Sequence, residues 1–249
     1  MRRTIRAAVA GLALTGTAGL ALTGTAGWAQ TVSKPIAAAL ADPARADQAG
    51  DDVRRQAGAV LAFAGVKPGD TTVDFLPGKY YWTRLLSDVV GARGRVVAVA
   101  PGFADPAKVP PPALAGWKLA NISYAAPGAT GQAPADLFLT VQNYHDIANR
   151  GGEAALAAFN KGVFATLKPG GTYLVVDHAA PAGSGISATN TAHRIDPASV
   201  KAQVIAAGFR FEGESRVLAN PADDHTRNVF DPAIRGHTDQ FMFKFRKPR

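Results

Sequence analysis

The sequence predicts an α/β fold: a mostly parallel sheet with helices on both faces, closed by a terminal antiparallel strand. Three observations carry this reading. Short β-prone runs alternate with longer helical stretches through the front of the chain, the pattern of parallel strands joined by crossover helices. One run, Arg95-Val96-Val97-Ala98-Val99-Ala100, is almost wholly apolar, as a strand covered on both faces must be. The last two β-prone stretches, 209–218 and 240–245, alternate in polarity and read as closing antiparallel strands.

Composition sets the scale. The chain has 249 residues, 47% of them hydrophobic, a formal charge of +8 and no cysteine. A domain of about 220 residues buries roughly 70% of the surface its extended chain exposes, so it needs neither disulfide nor structural metal. The lack of cysteine excludes a thiolate zinc site, a disulfide framework and a cysteine nucleophile. Basic residues are scattered, apart from Lys244, Arg246, Lys247 and Arg249, and form no stripe for nucleic acid. A small molecule is the expected partner.

Residues 1–29 read as a secretory signal. Arg2, Arg3 and Arg6 form a basic start, an uncharged apolar stretch follows, and Gly27-Trp28-Ala29 puts small residues where a signal peptidase looks. An eight-residue tandem repeat, 12–19 and again 20–27, lengthens the apolar stretch, but its glycines and threonines make it a poor permanent anchor. Cleavage would take the charge from +8 to +5, remove any stable membrane anchor and leave residues 30–249 as one domain, periplasmic or secreted. Retention as an anchor is the alternative.

Residues 36–63 are alanine-rich with loosely helical apolar spacing, giving an N-terminal helical extension over about 30–66 that Gly65 and Pro68-Gly69 stop. Val73-Asp74-Phe75 is the first strand, and 80–90 the first crossover helix. The apolar run 95–100 is the second strand, 120–124 a weak third, and 136–141 a clear fourth that ends in the polar loop Gln142-Asn143-Tyr144-His145-Asp146. An amphipathic helix over 153–167 stops at Lys168-Pro169-Gly170-Gly171, and 172–177 is the fifth strand. Asp196-Pro197 supplies the cap and first position of a helix reaching 207.

The order of elements, with Val73-Asp74-Phe75-Leu76-Pro77-Gly78, Gly94-Arg95-Val96-Val97-Ala98-Val99 and Leu167-Lys168-Pro169-Gly170-Gly171, resembles the class I S-adenosylmethionine-dependent methyltransferases. More closely it resembles their exported bacterial subgroup, as does the block from Asn220 through Asp223-Asp224-His225 to Asp231-Pro232. The resemblance implies a Rossmann-like sheet and S-adenosylmethionine as cofactor. It places the cofactor against Asp74, Leu76, Pro77, Gly78, Tyr81 and Thr83, with Ala100 ending the second strand and Gln142 following the fourth. The class pattern is acidic-x-Gly-x-Gly-x-Gly, so this chain keeps the middle glycine, Gly78, and has Leu76 and Tyr80 in place of the others. Ala100 stands where the class has a carboxylate for the ribose hydroxyls.

At the reaction end, His145 has the chemistry of a base near neutral pH and Asn143 that of an orienting amide; a purely positional His145 is the alternative. His145, Asp177, His178 and His225 all fall in segments that meet the carboxyl edge of the sheet, but no pair has the helical spacing of a metal motif, so no metal is expected. No Gly-x-Ser-x-Gly elbow supports a hydrolase. The expectation is an exported methyltransferase acting on a small molecule or envelope component; the alternative is a periplasmic ligand-binding protein of the same fold without transfer activity.

Overall fold

The computed structural model describes residues 31–99, 120–125 and 134–249; the signal reading of 1–29 and the cofactor position Ala100 lie outside them. Among the described residues the strands are β1 (Thr71–Phe75), β2 (Arg95–Val99), β3 (Ile122–Ala125), β4 (Ala135–Val141), β5 (Leu167–His178), β6 (Arg210–Ser215) and β7 (Gln240–Arg246). The helices are α1 (Lys34–Leu40), α2 (Ala57–Ala64), α3 (Tyr81–Val90), α4 (Tyr144–Thr166), α5 (Thr189–Ala192) and α6 (Pro197–Ala206). None is long and apolar enough to cross a membrane.

One sheet runs in the order β3-β2-β1-β4-β5-β7-β6, parallel through β5, with β7 antiparallel to both of its neighbours. The chain moves outward from β1 through β2 to β3, then returns to place β4 on the other side of β1. That reversal leaves a crevice at the carboxyl ends of β1 and β4, where ligands of open α/β sheets bind.

Side-chain alternation builds two apolar layers. Val73, Phe75, Phe138, Tyr173 and Val175 face one side with Leu156, Val163 and Val204. Leu137, Leu139, Leu174, Val176 and Met242 face the other with Leu61, Leu85 and Val89. The same period decides where the strand-end carboxylates point. Asp74 falls on the face covered by α3, and Asp177 on the face covered by α4.

Helix α4 corrects the sequence reading. Its helix was expected over 153–167 after a polar loop, but helical structure begins at Tyr144 and is interrupted at Gly151 and Gly152, the latter left-handed at φ 62°. Asn143 at the N-cap makes no side-chain cap bond. The acceptor is instead Asp177, 32 positions away, whose Oδ2 takes the His145 backbone N–H at 2.9 Å. The stretch 168–171 also differs from the expected stop, since β5 starts at Leu167 and carries a left-handed Gly170. Helix α6 has the expected start: Asp196 Oδ1 accepts from the Ala198 N–H at 2.9 Å, with Pro197 in the first turn.

Two buried arginines fasten the loops around the crevice. Arg45 donates to both oxygens of Asp52, at 3.2 and 2.7 Å, and Asp52 also accepts from the Tyr81 hydroxyl at 2.5 Å, which ties residues 45–52 to the first turn of α3. Arg194 grips Asp223 with two bonds, at 2.8 and 3.0 Å, and donates to the carbonyls of Arg227 and Ala179. Asp223 also accepts from the backbone N–H groups of His225 and Asp239. The Asn220 to Pro232 block of the sequence is therefore a loop clamped beside the crevice by an ion pair with almost no solvent contact.

Removing one partner of such a pair leaves a buried charge uncompensated, at a cost of about 3–5 kcal/mol. Arg194→Ala is expected to lower the unfolding free energy by about that much in urea titration, whereas Arg227→Ala, on an exposed pair with Asp231, should change it by less than about 1 kcal/mol.

Candidate functional site

A cleft of ≈ 570 Å³ opens where the sheet topology reverses. Its floor comes from the end of β1 (Asp74, Leu76, Pro77, Gly78), one wall from Val141, Gln142 and Asn143 after β4, and its rim from Asp51, Arg54, Arg55, Asp146, Arg150 and Arg235. A larger hollow, ≈ 730 Å³, lies at the opposite, amino edge between α3 and β3. Asn121 lines it, bonded to Ser87 and the Gly91 carbonyl. Fold geometry favours the carboxyl-edge cleft, and the strand-end carboxylates are there.

On the β1 side, Asp74 is 2% exposed and its Oδ2 accepts from the Thr83 hydroxyl at 2.6 Å. It also accepts the Thr83 backbone N–H. Tyr80, at the N-cap of α3, makes no side-chain cap bond, so Asp74 supplies the cap from the neighbouring strand. Burial raises the Asp74 pKa to about 6, against the two bonds from Thr83 that favour the anion.

The turn between Asp74 and α3 explains the altered glycine pattern. Leu76, Gly78 and Tyr80 have φ of 53°, 56° and 60°, so all three class-glycine positions are left-handed, two of them without glycine. A non-glycine residue there costs on the order of 1–2 kcal/mol, and surrounding contacts must hold it. Tyr80 packs on Tyr124 and Ala98, while the carbonyls of Phe75 and Leu76 accept from Asn143 Nδ2 at 2.7 and 3.3 Å. Asn143, expected as an orienter of reactants, therefore has its amide nitrogen committed to bracing this turn. Its Oδ1 is buried without a partner, as is the indole N–H of Trp82 in the cleft wall.

Of the other sequence candidates, Tyr81 lines the cleft with Arg55 stacked over its ring at 4.6 Å, and Thr83 reaches the cleft through Asp74. Gln142 is left-handed at φ 58° and donates to Gln240 at 3.0 Å. Tyr144 is fully buried and bonded to Gln203 and Asn160, so it is a core residue.

At the β4–β5 side, His145 Nδ1 donates to Asp177 Oδ1 at 2.8 Å, and Asp177 also accepts the backbone N–H groups of His145 and His178. Burial opposes charge on the His145 ring, but Asp177 and the nearby Asp146 outweigh it and raise the pKa. Burial alone would raise the Asp177 pKa; His145 and the backbone donors hold it below the usual carboxylate range. With Nδ1 occupied, Nε2 is the free atom of His145, 3.5 Å from Asp146 Oδ1. His178 is buried, shares a hydrogen bond with the Thr238 hydroxyl at 2.7 Å, and is pushed down to about 4 by burial. His193 stands edge-on to His145 with ring centres 5.4 Å apart. His225 is elsewhere, paired with Asp239 at 2.9 Å.

Sequence reasoning missed one role, Asp177 as the partner that orients His145. An acid at the end of a strand beside a histidine-bearing segment was the available signal.

No family model matches the chain, and no curated protein matches it in sequence. Solved structures do resemble it. A SAM-dependent methyltransferase from Aquifex aeolicus aligns at 15% identity and a TM-score of 0.55, over 82% of this chain and 96% of that one. The [4+2]-cyclase SpnF aligns at 14% and 0.55, over 78% and 80%. A putative methyltransferase from Bacillus halodurans aligns at 17% and 0.53, over 80% and 100%. These likenesses show that the chain has the Rossmann-like methyltransferase fold, and the cyclase shows that a neighbour in this fold carries another reaction.

Asp177→Ala would strand two buried backbone donors and the His145 ring, at about 1–3 kcal/mol each. Urea unfolding should show a loss at the upper end of that range or beyond, with Asp177→Asn retaining part of the stability because its carbonyl oxygen still accepts one N–H.

Proposed function

We propose that the protein is an S-adenosylmethionine-dependent methyltransferase, exported, that acts on a small molecule or envelope component. One observation carries the reading most: a buried carboxylate, Asp74, followed by a turn left-handed at Leu76, Gly78 and Tyr80, with Asp74, Leu76 and Gly78 on the floor of a cleft at the reversal of the sheet. That turn lets backbone approach a ligand closely, and the carboxylate offers an ammonium a counter-charge in a dry setting. The unpartnered Trp82 N–H and Asn143 Oδ1 in the cleft wall offer a donor and an acceptor to a polar ligand, so the residues present fit such a cofactor. The donor fold neighbours support the same reading.

S-adenosylmethionine would supply an electrophilic methyl group. Asp74 would hold its amino-acid ammonium, with Pro77 and Gly78 at the carboxyl end of β1 and Tyr81 and Gln142 at the walls. Thr83 keeps Asp74 oriented through the 2.6 Å bond. An acceptor would enter beside Asp146, which lines the cleft, and His145 behind it. Transfer needs chiefly alignment of nucleophile and methyl group, and a proton acceptor only when the nucleophile arrives protonated.

The second reading, a ligand-binding protein of this fold without transfer activity, draws on Leu76 and Tyr80 in place of glycine and on Ala100 in place of the ribose carboxylate. Turnover separates the two: formation of S-adenosylhomocysteine with an envelope extract supports the enzyme, and binding without it supports the second reading.

Calorimetric titration with S-adenosylmethionine tests the shared premise. Submillimolar affinity is expected, with Asp74→Asn weakening it about ten- to a hundred-fold, the worth of a charged hydrogen bond; no heat at millimolar ligand would sink donor binding. A pH series gives an independent check. The Asp74 carboxyl, raised to about 6, must ionise to meet a cation, so affinity should climb as pH rises toward 6 and level off above it. Asp74→Asn should abolish that slope.

A further inference from the structure

We propose that His145, Asp146 and His193 form a binding site for a divalent transition-metal ion at the acceptor end of the cleft. One donor atom from each lies within 4.8 Å of the other two. A tetrahedral ion with ligand bonds near 2.1 Å holds its donors roughly 3.4 Å apart, so closure asks for about an ångström of side-chain movement. The His145 Nε2 to Asp146 Oδ1 separation is already 3.5 Å. Asp146 and His193 are partly exposed and have room to turn.

A second, independent feature points the same way. A ligating imidazole is ordinarily fixed by a carboxylate on its other nitrogen, which sets the tautomer and strengthens the donor. Asp177, fully buried, does this to His145 at Nδ1, 2.8 Å away, and takes the His145 backbone N–H as well. Nε2 is thereby presented to the other two donors. His193 is held in a left-handed conformation at φ 54° where α5 ends, with its ring against His145 on one side and Phe230 on the other.

The remaining histidines do not join. His178 has its Nδ1 bonded to Thr238, and His225 is bonded to Asp239. Two imidazoles and one carboxylate suit Zn²⁺ or Fe²⁺, and three protein ligands leave a coordination position open. Asp146 lines the cleft, which puts the site beside the space an acceptor would occupy. An ion there would polarise an acceptor hydroxyl or water, doing the work otherwise asked of His145 as a base, and its occupancy can be read whether or not methyl transfer takes place.

The test is titration of untagged, chelator-treated protein with Zn²⁺ by calorimetry and with Co²⁺ by visible absorption. The expected result is about one equivalent bound with Kd below about 10 μM near pH 7.5, with ligand-field bands in the Co²⁺ form. His193→Ala and Asp146→Ala, whose side chains are partly exposed and whose folding is checked by circular dichroism, should each weaken binding at least ten-fold; Asp177→Asn should weaken it about ten- to a hundred-fold, and His225→Ala should leave it unchanged. Less than about a tenth of an equivalent bound, or binding that survives both His193→Ala and Asp146→Ala, overturns the proposal and leaves a His145–Asp146 ion pair.

Discussion

A carboxylate removed from water must be met by donors, and two such groups govern this molecule. Asp74 and Asp177 end β1 and β5, the strands on either side of β4, and point to opposite faces of the sheet. Each receives the start of a helix whose own N-cap residue offers no side-chain acceptor: Asp74 takes Thr83 of α3, and Asp177 takes His145 of α4. The helix N-terminus gains an anion where its dipole favours one, and the anion gains donors where water is absent. The carboxyl edge of the sheet, the directions of α3 and α4 and the two ends of the cleft are all set by this exchange.

How legible this was in the sequence depends on the distance between partners. Strands and sheet class follow from periodicity, a local property, and the crossover pattern fixes the parallel order. The start of α4 was not legible, because its cap lies 32 positions downstream; read locally, Gln142 to Asp146 is only a polar loop before two glycines. The glycine pattern shows the reverse case. Leu76 and Tyr80 read as departures from a ligand-binding turn, yet they hold the left-handed backbone that glycine would. Dihedral angles follow from packing around Tyr124 and Ala98 and from the Asn143 brace, none of it visible in a six-residue motif.

The fold alone carries less about chemistry than the residues do. A cyclase and methyltransferases share the arrangement with this chain at similar TM-scores. Around the cleft this chain places an unpartnered indole N–H and amide oxygen on the β1 side, and on the β4–β5 side an imidazole nitrogen that Asp177 does not use. The buried guanidinium groups of Arg45 and Arg194 are each met by a carboxylate, Asp52 and Asp223.

The Arg194–Asp223 clamp also bears on time. The loop it holds contributes Arg235 to the rim, and three hydrogen bonds from Arg194, two to the Asp223 carboxylate and one to the Arg227 carbonyl, would have to part before that loop could swing away. Breaking buried charged contacts together is slow compared with diffusion of a small molecule through a standing opening. Traffic through the cleft should therefore follow ligand concentration rather than the opening of a gate on this side, and residence time should be decided by the contacts inside.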